Sequence, residues 1–325
     1  MAVPLSARQT MSSDGSREDM SFTVTLTTVA LMLLYAVPGF LLVRRRLIAP
    51  ESITGFAALL LYLCSPFQTL YAMQRIEYSP DLVGLLALAL GLGALLMLTM
   101  LGAVYFVFRR RQEQVPYRIF TAASALGNCG FMGLPLIEAL LPDYPQGVAF
   151  ASMFFMAMNI LMWTVASFII TRDKRYISVK KIFLNPSTIA MIIALALFFG
   201  RVQLPAQLDD AVSLLSKMCT PLCMLILGMR LAIMPIKPIF TSALQYGAVI
   251  LKLFVFPLFA LAVCSLLPVE REFVLTVYIL CLTPVGSLVQ SFAEILGEGQ
   301  DVAANVVLLS TFLSMFTIPL MLMIA

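Results

Sequence analysis

Two interrupted apolar stretches hold most of the residues able to do chemistry. The first reads Gly127-Asn128-Cys129-Gly130-Phe131-Met132-Gly133-Leu134-Pro135, and the second Thr283-Pro284-Val285-Gly286-Ser287 followed by Gln290. Glycines weaken helix propagation and Pro135 withholds an amide from the ladder, so each stretch predicts a helix that breaks inside a bilayer. Unwound backbone in lipid leaves carbonyls and amides without partners, and it survives only where protein, water or a ligand satisfies them. A broken helix also presents an N-terminus carrying roughly half a positive charge, which seats a carboxylate without needing a lysine. A polar site for a small anion is therefore expected from Asn128, Gly130, Gly133, Pro135, Thr283, Pro284, Gly286, Ser287 and Gln290. Asn159 is a further candidate, either lining that cavity or bonding a neighbouring helix.

Four more polar residues are candidates for coupling or charge. Lys252 falls about ten residues into an apolar run, deep enough to be costly, and is read equally well as functional or as a stem reaching toward the surface. Glu138 and Glu294 lie near span ends, where solvation is the simpler reading, and Asn305 sits inside the last apolar run. The chain has no histidine, which removes imidazole-based zinc, haem and triad chemistry. Paired intramembrane aspartates, GxSxG and metal clusters are also missing from the apolar runs, so an enzyme, a resident cofactor and a metal site are not expected. The six cysteines all fall inside apolar runs, which argues for packing rather than a disulfide framework.

The elements that must carry these residues are membrane helices. Of 325 residues 61% are hydrophobic and 12% charged, with a mean hydropathy of +0.98, far from an ordinary soluble domain. Apolar runs at about 22–43, 53–73, 82–108, 118–141, 148–170, 186–200, 211–232, 242–267, 273–296 and 302–324 predict ten spans, the sixth being short. Residues 1–20 are polar and Ser-rich and read as a disordered tail, with Met20 a candidate start. The first run ends in Arg44-Arg45-Arg46 without a cleavage site, so it is expected to stay in the mature protein.

Loop charge predicts orientation. Loops after odd-numbered spans hold fourteen Lys and Arg, counting Arg118 and Arg230 among them, while the termini and remaining loops hold six. Basic residues stay cytoplasmic, which puts both termini on the other side of the cell membrane and makes nucleic-acid binding an unneeded explanation of the +4 charge. The basic linker 171–185 divides the chain into repeats 21–170 and 186–325. Five spans per half require the halves to be inverted, a build typical of secondary transporters, and a slide of about 154 positions superposes the breaks in spans four and nine.

The stretch from Gly127 to Leu136 resembles the fourth-span signature of the auxin efflux carrier family. Thr283-Pro284-Val285 through Asp301, and Leu309-Ser310-Thr311-Phe312-Leu313-Ser314-Met315-Phe316-Thr317-Ile318-Pro319, are similar to its ninth and tenth spans. Pro221 with Leu227-Gly228, and Lys252-Leu253 with Pro257, stand where its seventh and eighth spans carry similar patterns. The resemblance runs from about Met20 to the C-terminus. It implies an all-α, ten-span, five-plus-five inverted repeat with broken, crossing helices four and nine. Spans one, two, six and seven would form a dimerising scaffold, and three to five with eight to ten a moving transport unit. It further implies a carrier of organic anions such as malonate, malate or an auxin-like acid, holding substrate where spans four and nine cross. The lack of a long central loop, and the ending Leu296-Gly297-Glu298-Gly299, point to a microbial-type member.

The expected function is thus alternating-access transport of a small carboxylate, with the lipid bilayer, a second copy of the chain and a coupled proton or sodium ion as partners. Two rivals remain open: a sodium-coupled symporter of the bile-acid type, which shares the crossed-helix plan, and a non-transporting sensor on a carrier fold.

Overall fold

Apolar, Gly- and Ala-rich segments fold here as helices, and several tolerate a proline in their interior. A computed structural model describes residues 31, 34–233 and 243–324. The tail 1–20, the start of the first apolar run and the side chain of Glu294 lie outside the described residues. The helices are α1 (Leu34–Arg44), α2 (Ser52–Gln74), α3 (Pro80–Val107) and α4 (Val115–Ala123). Then come α5, a wide turn over Cys129–Gly133 running into Leu134–Leu140, and α6 (Gln146–Thr171). The second half holds α7 (Pro186–Gly200), α8 (Ala206–Ile233), α9 (Ala243–Cys264), α10 (Arg271–Leu282), α11 (Ser287–Leu296) and α12 (Gln300–Leu322). No strand occurs among the described residues.

Among the described residues six helices, α2, α3, α6, α8, α9 and α12, are long and apolar enough to cross a membrane. A seventh crossing exists if Lys174–Phe183 and α7, bent by 41° at their junction, count as one. The expected fourth and ninth spans do not qualify as single helices, because each is cut in two: α4 from α5 at residues 124–128, and α10 from α11 at 283–286.

Local chemistry sets these boundaries. The Ser79 hydroxyl accepts from Leu82 N at 3.1 Å to start α3, and Asn185 accepts from Ser187 N at 3.0 Å to start α7, satisfying amides that have no partner one turn earlier. Three prolines inside apolar runs, Pro66, Pro135 and Pro257, each follow a π-helical turn by two residues: Leu60–Cys64, Cys129–Gly133 and Leu251–Val255. A proline ring clashes with the carbonyl four residues back, and a widened turn moves that carbonyl aside without ending the helix. Pro135 therefore lies inside α5 rather than in the gap, contrary to the expectation that it helps open the break.

Packing falls into two groups. α2 lies against α7 and α8, while α3 runs along α6, and α9, α10 and α12 pack on one another. α1 joins the first group through backbone contact. A Cβ placed on Gly228 of α8 would sit 1.8 Å from the Ala36 carbonyl oxygen, and one on Gly39 would sit 2.1 Å from that of Leu225. Small residues let helices approach this closely where lipid gives no hydrophobic drive to associate. Gly228→Val is expected to cost about 3 kcal/mol or more through overpacking against backbone. Thermal unfolding in detergent checks this, with Gly91→Ala, which meets nothing within 4 Å, leaving the midpoint unchanged or slightly raised.

One end of the bundle carries a lattice of charge. Arg172 pairs with Glu113 at 2.8 Å, holding that carboxyl below its usual range, and Arg118 donates to the Ile170 carbonyl at 2.8 Å. Arg118 is buried within α4 rather than lying in a loop as its neighbours suggest.

Candidate functional site

The two gaps meet. Gly127 and Val285 form an isolated antiparallel bridge, with Asn128 N donating to Pro284 O at 2.7 Å and Gly286 N to Leu126 O at 3.0 Å. Leu126 and Asn128 map onto Pro284 and Gly286 with one offset of 158 residues, so the two bonds interchange when the gaps are swapped. The 154-residue slide expected from sequence fits the helices that follow, α6 and α12. It misses the gaps because α11 and its loop are each two residues shorter than α5 and its loop.

Further backbone groups at the crossing also find partners, as buried backbone favours. Asn128 O accepts from both Met132 N and Gly133 N, and Val285 N donates to the Ser310 hydroxyl at 3.1 Å. Leu280 O accepts from the Thr283 hydroxyl at 2.7 Å. Close approach makes two glycines necessary. A Cβ on Gly286 would meet Gly127 O at 2.9 Å, and one on Gly127 would meet Thr283 Oγ1 at 2.5 Å and Lys252 Nζ at 3.1 Å.

Lys252 does not reach the surface. It is fully buried in the π turn of α9, its Nζ donates to Cys281 O at 2.7 Å, and the ammonium stands 5.0 Å over the Phe256 ring. The carbonyls ending α10 carry the negative end of a helix dipole, and a cation placed there is stabilised by them. Lys252 thus backs the crossing from the side away from the cavities.

On the open side, a pocket of about 40 Å³ is walled by Asn128, Met132, Val285, Ser287, Thr311 and Arg230, among others. It adjoins a vestibule of about 900 Å³, with Ala57, Arg230, Ser287 and Val307 shared as walls. Gln290, Asp301 and Asn305 line the vestibule. Asn128 is half-buried, and its side chain does not cap the helix it precedes, leaving the amide presented to the pocket. The vestibule lies at the end where Gly299 packs on Val115 and Ile119, the end that carries the Arg172–Glu113 pair.

A family model described as a membrane transport protein matches residues 24–322. The chain belongs to the auxin efflux carrier family. No curated protein matches it at a significant level. Family and apolar helices together make this a multi-pass membrane transport protein.

Within this carrier, Asn128, Pro284, Gly286 and Ser287 are brought together at the crossing, with Gln290 and Asn305 in the vestibule beyond. Thr283 is fully buried behind the bridge, where it serves the backbone. Gly130 and Gly133 face other side chains: a Cβ on them would meet Phe155 at 2.5 Å and Leu280 at 2.7 Å. Asn159 stands apart, buried and accepting from Asn185 Nδ2 at 3.4 Å. Among the described residues no group of three His, Cys, Asp or Glu could hold a metal ion. The residue missed in the sequence is Arg230, counted there as a loop charge. The apolar Leu231-Ala232-Ile233 that follow it were the available signal, since they carry α8 past the arginine.

Glu138 is not a solvated helix end in this carrier. Partly buried, its Oε2 accepts from Gln68 Nε2 of α2 at 2.8 Å and from the Thr220 hydroxyl of α8 at 3.5 Å. These two bonds tie α5 to α2 and α8. Glu138→Ala leaves the buried Gln68 amide without its acceptor and is expected to cost roughly 1–3 kcal/mol. Thermal unfolding reads this as a lowered midpoint, with Glu138→Gln, which keeps an oxygen acceptor, closer to wild type.

Proposed function

We propose that this protein carries a small organic anion across the cell membrane by alternating access, binding a carboxylate where the two helix gaps cross. The observation that carries the reading is the Asn128 amide, free of any capping duty and presented to one pocket with the α11 N-terminus at Ser287. Amide donors and a helix N-terminus suit a carboxylate, and the buried Lys252 behind them adds positive potential. A fixed ammonium is a poor neighbour for a sodium ion, which favours anion carriage over sodium-coupled symport.

In this reading the chain has ten spans as a five-plus-five inverted repeat, with the termini facing outward and α4–α5 and α10–α11 as the crossing fourth and ninth spans. The group containing α1, α2, α7 and α8 is the scaffold, the seat of homodimerisation, and the rest moves with the substrate. The vestibule then opens to the cytoplasm, and Glu138 seals the outer side. Moving one net negative charge is worth about 2.3 kcal/mol per 100 mV, so an inside-negative potential drives export of a monoanion.

Solid-supported-membrane electrophysiology on reconstituted protein tests this with a panel of mono- and dicarboxylates, with and without sodium or proton gradients. A current for a carboxylate that is indifferent to replacing sodium by choline is expected. Silence across the panel from folded protein, together with ligand binding, would favour the sensor reading.

A further inference from the structure

Where α2 and α7 end side by side, a cleft of about 260 Å³ opens between the loops that follow them. Its buried lining is apolar, with Met73, Ile76 and Phe198, while Glu77, Arg201 and Gln203 stand exposed around it. Gln74, buried at the end of α2, fixes the two sides to each other. Its Oε1 accepts from Leu204 N at 3.0 Å, and its Nε2 donates to Val202 O at 3.4 Å. None of the residues of the helix crossing lines this cleft, which leaves it without a part in the carriage proposed above.

Two opposite charges share the cleft without meeting. Arg201 is stacked over the Tyr78 ring, its guanidinium carbon 4.7 Å from the ring centre, and it forms no ion pair among the described residues. Stacking occupies the face of a guanidinium and leaves its N–H edge for an acceptor. Glu77 makes neither an ion pair nor a hydrogen bond among the described residues. Nearby Arg75 and Asp209 pair with each other at 3.7 Å, so neither neutralises the cleft. A ligand carrying one negative and one positive group a short distance apart meets both needs at once.

The position of the cleft says what such a ligand is. Ends of membrane helices lie at headgroup level, where tyrosine is favoured, and clefts between such helices hold lipid headgroups. α7 also exposes Ile189, Ile192, Ile193 and Phe199 along one face, a strip for acyl chains that ends beside the cleft. We infer that the cleft seats a zwitterionic phospholipid whose headgroup ends in a primary ammonium. Its phosphate takes the N–H edge of Arg201, and its ammonium donates to the Glu77 carboxylate. Choline has no N–H for Glu77, and the aromatic face that would hold a quaternary ammonium is already covered by Arg201. A glycerol headgroup leaves the carboxylate unpaired beside a net negative charge. The inference is independent of what the carrier transports.

Native mass spectrometry of delipidated, detergent-solubilised protein tests this, by titration with phosphatidylethanolamine, phosphatidylcholine and phosphatidylglycerol of identical dioleoyl chains. Wild type is expected to bind the ethanolamine lipid about tenfold or more tighter than either other lipid, the contribution of one hydrogen bond between charged groups. Glu77→Gln should bring the ethanolamine lipid to the level of the choline lipid, and Arg201→Gln should weaken both. Three lipids bound within about threefold of one another by wild type, or an ethanolamine preference kept in Glu77→Gln, overturn the inference. Displacement by glycerophosphoethanolamine at the concentration of the intact lipid also overturns it, since acyl chains would then play no part. Both residues are exposed, so the variants are expected to fold; should Arg201→Gln not, Glu77→Gln decides by the ethanolamine-to-choline ratio.

Discussion

Asn128→Ala is expected to lower carboxylate flux roughly 10- to 150-fold, because a hydrogen bond to a charged group contributes about 1.5–3 kcal/mol and each 1.4 kcal/mol is a factor of ten. The fold should tolerate the change. What Asn128 gives the crossing is its backbone, N–H to Pro284 O at 2.7 Å and carbonyl to Met132 and Gly133, and alanine keeps all of it. The side chain is half-buried and caps nothing, so its removal opens no sealed cavity. Asn128→Asp should be worse than alanine, since it sets a like charge against the substrate. The check is flux per folded protein in proteoliposomes, with the thermal midpoint measured alongside. Undiminished flux in a well-folded Asn128→Ala would remove the crossing as the seat of the anion.

Lys252→Met should raise the apparent KM for the anion by about twentyfold while moving the thermal midpoint little. A unit charge within about 10 Å at an effective dielectric near 20 contributes roughly 1.7 kcal/mol to a bound anion, and methionine removes it at nearly equal volume. Two stability effects oppose each other. The Cys281 carbonyl loses a donor it holds at 2.7 Å, while the cost of keeping an ammonium fully buried disappears. An unchanged KM with a lowered midpoint would make Lys252 a strap between α9 and the end of α10 and nothing more. Concentration dependence of transport, measured beside detergent melting curves, separates the two outcomes.

Much of this arrangement is legible in the sequence, because apolar length and helix-breaking residues are local signals. The apolar runs at 53–73, 82–108, 148–170 and 302–324 differ from α2, α3, α6 and α12 by only a few residues at either end. Both interruptions stand where glycine and proline put them, although the first gap opens at Ser124, ahead of the glycines, and closes at Asn128. What stays hidden is direction around a helix. Position along α9 gives the depth of Lys252 but not its azimuth, and only packing against α4–α5 and α10 turns it inward. Arg230 is obscured for the opposite reason: it stands near the end of an apolar run with Lys237 beyond it and is counted with the loop, although α8 continues past it. Glu138 and Asn159 follow the same logic, since their partners Gln68, Thr220 and Asn185 are remote in sequence. The register of the gaps was displaced by four residues, the combined shortening of α11 and its loop, which no residue-by-residue comparison of two diverged halves can register.

The crossing itself is joined by main-chain atoms, two N–H···O=C bonds between Leu126–Asn128 and Pro284–Gly286. Such a joint imposes almost no spelling on the chain. It asks for smallness at Gly127 and Gly286 and for a halt to the helix on either side, and otherwise leaves inheritance free to rewrite its surroundings. Sequences that have drifted beyond recognisable identity can keep the same joint, so kinship among such carriers is better traced by the distance between two interruptions than by the letters that make them.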